Sequence, residues 1–341
     1  MFKRFYIFSR TLIVLPMILA FNAFSQDVHF SQYYLSPLTL NPANTGNFSG
    51  DWRFSTNYRT QWRSIDVPFN TFSLGFEQNL LTGTQKIGAG LLLLHDQSGN
   101  AKISSNRAQL SLAFHPKAGA SVFHFGVQGG ITFKSFDISA LTFPDQFDSD
   151  NGSFTNSLPN NEVNYNLRKN YFDLNFGTGW SRRIGVVYLN TGLALYHINR
   201  PNESFFNNAS ILPIRKVFNT SLAWEITENI EVSPRFLLMA QKAATEYLIG
   251  GNCAYLLETN KMNAESIYIG FQTRTGLNRV TDAYIATTGI TFERLIVGLN
   301  YDFNVSGLSK ATNMRGAMEF AVIFWSGSKE LKPKTITCDR F

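Results

Sequence analysis

From about residue 50 to residue 325 the chain repeats one pattern: hydrophobic and polar residues alternate, then break at turn residues. In 52–62, Trp52, Phe54, Tyr58 and Trp62 fall on one side, and Arg53, Ser55, Asn57, Arg59 and Gln61 on the other. Successive side chains of a β-strand point to opposite faces, so a period of two describes a strand with one greasy and one wet face. Alternation is equally clear at 103–115, 121–136, 171–181 and 294–305. Weaker copies fall at 70–79, 86–95, 185–197, 214–225, 230–241, 246–257, 265–274, 283–292 and 315–325. Segment 246–257 carries apolar residues on both faces and is the least regular.

These segments predict an all-β fold, a transmembrane antiparallel β-barrel of about 14 strands with an aromatic outer face and a polar lumen. The connections form two classes. Joins at 63–69, 96–102, 137–170, 198–213, 242–245, 275–282 and 306–314 include both long insertions. The alternating series is mostly tight, with turn residues such as Leu81-Thr82-Gly83 and Pro116-Lys117-Ala118-Gly119. Barrels of the outer membrane carry short periplasmic turns and longer extracellular loops. An even strand count then leaves both chain ends on the periplasmic side. The competing fold is a soluble β-sandwich, which also alternates but buries its aromatic face between two sheets.

The organisation that follows is 1–25, a signal peptide; 26–50, a periplasmic or luminal N-terminal segment; 51–325, the outer-membrane barrel; and 326–341, a periplasmic tail. Residues 1–25 combine Lys3, Arg4 and Arg10 with an apolar run from Thr11 to Phe24 and small residues before Gln26, the layout of a cleaved secretory signal. Segment 26–50 is aromatic and turn-rich without a period: Phe30, Tyr33 and Tyr34, then Pro37, Asn41-Pro42 and Thr45-Gly46.

Composition sharpens the picture in two places. Phe 31, Tyr 13 and Trp 5 accompany a mean hydropathy of only −0.09, as expected when lipid-facing and lumen-facing residues average out. The net charge of +6 falls to +3 once the signal segment, with three basic and no acidic residues, is removed. A nucleic-acid partner loses its main support with it.

Candidate chemistry is sparse. His29, His95, His115, His124 and His197 sit in no nucleophile, zinc or phosphate-loop motif, and no cofactor, metal or catalytic set is implied. Cys253 and Cys338 are too few for a disulfide scaffold, although in an oxidising compartment they could pair. The inward set mixes signs: Arg53, Arg59, Glu77, Arg107, Lys134, Asp173, Arg235, Arg274, Arg294, Asp302 and Glu319. A lumen of this size exceeds what wall side chains fill, so it holds water, a ligand or a plug. Either these charges pair and hold inserted segments, or they line a solute path.

Several motifs give the chain a resemblance. Gln-Asp-Val-His-Phe-Ser-Gln-Tyr-Tyr (26–34) is followed by Leu-Asn-Pro-Ala-Asn-Thr-Gly (40–46) and Tyr-Arg-Thr-Gln-Trp (58–62). Leu-Thr-Phe-Pro-Asp-Gln-Phe (141–147), His-Ile-Asn-Arg-Pro (197–201), Tyr-Asp-Phe-Asn-Val-Ser (301–306) and the final Cys-Asp-Arg-Phe complete the set. With these the mature chain resembles the PorP/SprF family of outer-membrane proteins from the type IX secretion and gliding systems of Bacteroidota. Val28, Pro144 and Asp339 depart from the family's Pro, Gly and Pro.

The resemblance implies a non-enzymatic barrel that captures the C-terminal domain of a secreted surface adhesin. It further implies linkage to periplasmic secretion components, including a peptidoglycan-binding lipoprotein. Phe143, Phe147, Phe154, Phe205 and Phe206 of the long loops are candidate partner contacts, or pack loop on loop over the barrel mouth. Phe30, Tyr33, Tyr34, Cys338, Arg340 and Phe341 are candidates on the periplasmic or luminal side. The alternative function is a channel or transporter for small solutes.

Overall fold

The computed structural model describes residues 27–64, 67–80, 86–99, 102–137, 141, 143–155, 157–158, 167–206, 208–257, 264–276 and 281–327. Residues 1–26 and the tail with Cys338, Arg340 and Phe341 lie outside them, as does any Cys253–Cys338 pairing.

Among the described residues 14 long strands form the barrel. They are β1 (Trp52–Gln61), β2 (Phe69–Asn79), β3 (Lys86–Ser98), β4 (Ile103–His115), β5 (Ser121–Ser135), β6 (Arg168–Ile184) and β7 (Val187–Tyr196). The second half is β8 (Arg215–Thr227), β9 (Ile230–Gln241), β10 (Ala244–Leu256), β11 (Ala264–Gly276), β12 (Ala283–Phe292), β13 (Leu295–Asn304) and β14 (Arg315–Trp325). Each strand pairs antiparallel with its sequence neighbours. The seam between β1 and β14 closes the sheet, running from Arg53 opposite Trp325 to Gln61 opposite Ala317. Closure leaves no free edge, the condition for backbone to sit in hydrocarbon.

The two faces are the reverse of a soluble protein's. Leu110 is 68% and Ile269 67% exposed, while Arg53, Glu77 and Asp302 are 0% exposed. A sandwich would bury the first pair and solvate the second, so the exposed aromatic and aliphatic ring excludes it. Even the irregular 246–257 segment is a full strand, β10, paired with β9 and β11 along its length. Its pattern is blurred by Gly250-Gly251, which supply no side chain to either face.

The barrel has a loop end and a turn end. The β5–β6 and β7–β8 connections rise from the loop end, and within the first a short hairpin pairs Phe147 with Phe154. The β9–β10 join at this end is the two-residue turn Lys242-Ala243, with Lys242 at φ +53. At the turn end the chain enters β1 and leaves β14, where Trp52 O accepts from Ser326 N at 2.9 Å.

Candidate functional site

The lumen is filled by the chain's own N-terminal segment. Residues 27–48 run from the loop end down to the turn end as a series of short turns, including Tyr33–Leu35, Pro37–Leu40 and Pro42–Asn44. Turn chemistry dictates this shape: Pro37 and Pro42 each open a short helical turn, and the Asn41 side chain caps the second by accepting from Ala43 N at 2.8 Å. Phe30, Leu35 and Leu38 are fully buried, each contributing roughly 1.5–3 kcal/mol of apolar burial.

Three polar sites hold the segment. At the loop end, Asp27 binds Arg107 at 2.7 Å and the His197 ring, with Arg215 at 3.9 Å. His197 reaches Asp173 through its other nitrogen at 2.9 Å, so it bridges two carboxylates. Burial opposes ionisation of Asp27, but Arg107, His197 and Arg215 outweigh it and hold the carboxyl well below the usual range. Burial likewise disfavours the His197 cation, and Asp27 with Asp173 overcomes this and raises its pKa.

In the middle, Glu319 of β14 accepts from Ser31 N at 2.7 Å and Gln32 N at 2.9 Å. The Ser31 hydroxyl donates to Asp302 at 3.0 Å and accepts from Arg59 at 2.9 Å and Arg274 at 3.1 Å. Arg59 also pairs with Glu319, and Asp302 binds Arg59 at 3.0 Å and Arg274 at 2.7 Å. Two acids and two guanidiniums therefore enclose one serine of the plug. Charges this deeply buried are tolerated because each is paired and hydrogen-bonded.

At the turn end, Arg53 and Glu77 form a two-pronged pair at 2.7 and 2.9 Å. Glu77 also accepts from Gly46 N at 3.0 Å, and Arg53 stacks on the Phe48 ring at 4.5 Å. His115 meets Thr45 O at 2.8 Å and His124 at 2.8 Å.

The wall is cut back where the plug passes. A Cβ on Gly126 would collide with Pro42 O, one on Gly177 with Asn41 Oδ1, and one on Gly88 with the Thr45 carbonyl. These glycines sit at lumen positions on β5, β6 and β3 and admit the 40–46 turn against the wall.

Of the inward charges expected from the sequence, Arg53, Arg59, Glu77, Arg107, Asp173, Arg274, Asp302 and Glu319 belong to these sites. Arg235 caps the Tyr34 ring at 4.0 Å. Lys134 instead pairs with Glu203 of the β7–β8 loop, and Arg294 lies in the exposed β12–β13 turn. His95 bonds Asn106 at 2.8 Å, and His29 faces Glu246 at 3.0 Å. Phe30, Tyr33 and Tyr34 are 2%, 6% and 7% exposed, so their rings face the lumen wall, not a periplasmic surface. Sequence reasoning missed Phe48 and the contact glycines; the available signal was glycine at lumen positions on several nearby strands.

The long loops divide. Phe205 packs edge-on against Phe136 at 5.0 Å, and Phe143 is half-buried. Phe147 and Phe154 stack edge-on at 5.2 Å yet stay 45% and 53% exposed, and Phe206 is 56% exposed.

The family model for the type IX secretion system membrane protein PorP/SprF matches residues 22–324. The chain belongs to the PorP/SprF family. It is therefore a type IX secretion system membrane protein with an outer-membrane β-barrel fold, a class associated with secretion components and not with an enzyme. The PorP/SprF motifs are scattered in sequence but converge in the lumen: Asp27, Ser31, Asn41, Arg59, His197 and Asp302 all belong to them. A search of curated proteins gives no match. Among solved structures, the CymD monoaromatic hydrocarbon channel is similar at 10% identity, over 87% of this chain and 94% of that one, with a TM-score of 0.48. A TodX deltaS2S3 mutant monoaromatic hydrocarbon channel gives 10%, 87%, 94% and 0.47. The Ralstonia pickettii toluene transporter TbuX gives 9%, 84%, 91% and 0.44.

Proposed function

We propose that this barrel is a scaffold in the outer membrane that binds the C-terminal domain of a secreted surface adhesin and links it to periplasmic machinery. A peptidoglycan-binding lipoprotein is among the periplasmic components this reading expects. In this arrangement the signal segment 1–25 is removed, the loop end faces the exterior, the chain enters and leaves the barrel wall at the periplasmic end, and the plug starts at the exterior end of the lumen with Asp27. Lipid surrounds the apolar ring.

The observation that carries the proposal is the plug. A segment anchored at Asp27, Ser31 and Gly46 by buried acids and bases threads the lumen from the loop end to the turn end. A wall so occupied suits a rigid support better than a conduit. Phe147, Phe154 and Phe206 offer exposed aromatic anchors to the secreted partner, with Phe143 and Phe205 supporting them. Residues 326–341, with Cys338, Arg340 and Phe341, are offered to periplasmic components. Phe30, Tyr33 and Tyr34 serve inside the lumen as plug residues.

Affinity purification from native outer membranes in mild detergent, with mass spectrometry, tests this. One large secreted protein should co-purify with periplasmic secretion components, and should be lost when 143–158 is trimmed. Stable ohmic conductance of the purified wild-type barrel in planar bilayers, without a co-purifying protein, would instead establish the solute channel.

A further inference from the structure

Between the plug and strands β7–β9 lies a cavity of about 70 Å³. Tyr33, Tyr34 and Leu40 of the plug line one side, and Asn190, Ser221 and Arg235 of the wall line the other. The register makes these three wall residues direct neighbours. Asn190 of β7 stands opposite Ser221 of β8, and Ser221 stands opposite Arg235 of β9. Side chains opposed in this way on one face lie about 4.5–5.5 Å apart at their Cβ atoms. An amide, a hydroxyl and a guanidinium therefore form one row across the lumen face of three consecutive strands.

The row is incompletely partnered. Arg53, Arg59, Arg107, Arg215 and Arg274 each meet a carboxylate inside the lumen. Among the described residues Arg235 forms no ion pair; it lies over the Tyr34 ring at 4.0 Å and donates to the Asn252 amide oxygen at 2.7 Å. Neither contact neutralises the cation. Glu231, farther toward the turn end on β9, accepts from the Ser233 hydroxyl at 2.8 Å and does not pair with Arg235. The Asn190 amide and the Ser221 hydroxyl make no hydrogen bond among the described residues, and all three members of the row are only half-buried. On the plug side the buried Tyr33 hydroxyl likewise has no hydrogen-bond partner.

We infer that this row binds a carboxylate group of a polypeptide that reaches into the lumen from the turn end. N–H and O–H donors gathered beside a guanidinium are what a carboxylate satisfies, through charge-assisted hydrogen bonds. A recess of low dielectric strengthens each of those bonds. The space admits a single side chain or chain end and excludes a folded element. That the polypeptide is a periplasmic one rests on the orientation proposed above; the inference adds the chemistry by which such a component would engage the barrel.

Calorimetric titration of the full-length barrel in nanodiscs tests it, with end-blocked tri-glutamate as the probe, tri-glutamine as the neutral control and inorganic phosphate as the competing anion. Tri-glutamate should bind saturably, tri-glutamine should not, and phosphate should bind more weakly than tri-glutamate. Arg235→Gln should weaken tri-glutamate binding at least about tenfold, as expected on removing one side of a desolvated charge pair. Ser221→Ala, which leaves the Arg235–Tyr34 contact in place, should weaken it about threefold, the size of one lost hydrogen bond. Absence of tri-glutamate binding, equal binding of tri-glutamine, tighter binding of phosphate, or wild-type affinity in both variants would overturn the inference. Peptide binding reads this row alone, whereas co-purification of a secreted protein reads the scaffold proposal, so the two can fail separately.

Discussion

Asp27 and His197 lie 170 positions apart in the chain and meet as an ion pair at the loop end of the lumen. One begins the described part of the plug and the other follows the last residue of β7, so the contact fastens the segment's leading end to the wall. A second carboxylate, Asp173, fixes the far side of the ring at 2.9 Å.

This pair makes plug anchoring pH-dependent. The Asp27 pKa is lowered, so its contribution is present above about 3.9, the ordinary value, and disappears as pH falls through the depressed one. The His197 pKa is raised, so its contribution is complete below about 6.5 and is lost as pH rises through the elevated value. Protection of 27–35 from hydrogen exchange should therefore be greatest between these limits and decline toward alkaline pH. His197→Gln should abolish the alkaline decline.

Arg59 stands between Asp302 and Glu319. Arg59→Met leaves both acids buried beside Arg274 alone and should destabilise the barrel by about 3–5 kcal/mol. Adding Glu319→Gln should recover part of this loss, because the uncompensated charge is then removed. Heat-modifiable gel mobility, read as a melting curve, measures both. Equal melting of Arg59→Met and wild type would contradict the network.

Gly126 lies against the Pro42 carbonyl, backbone that cannot swing aside. Gly126→Val should displace the 40–46 turn, at about 1–3 kcal/mol of overpacking. Limited proteolysis within 36–48 should accelerate while the barrel remains folded. An unchanged digestion pattern would mean that the plug does not rest there.

Leu110, the most exposed of the apolar residues on β4, sits at mid-strand. Leu110→Arg should cost about 2–4 kcal/mol, the range for a charge at the bilayer midplane. The same substitution at Ser111, one position along, should not follow that scale, because its side chain turns to the lumen and bonds Thr45 at 3.0 Å. Folding yields into liposomes compare the two.

Loop-end aromatics provide a functional readout. Replacing Phe147, Phe154 and Phe206 together with Ser should leave barrel melting unchanged, since all three are exposed, and should reduce recovery of the secreted partner at least tenfold, as loss of aromatic anchors does. Full recovery would remove the loops from the interface.

The alternation in 52–62 was enough to assign the faces of β1, because sheet geometry ties side-chain direction to sequence parity. Strand number, the two classes of connection and the exposed ring follow by the same rule, applied strand by strand. Even Arg59 and Asp302 were legible as inward residues. What parity does not encode is which inward residues meet. Nothing in the sequence pairs Ser31 with Glu319 across 288 positions, or His197 with Asp27. Those contacts exist because the closed ring brings distant strands around one axis and leaves a volume that its own side chains cannot fill. The aperiodic 27–48 segment occupies that volume through turns and backbone hydrogen bonds. Its course therefore depended on wall glycines and buried acids that only the closed barrel assembles.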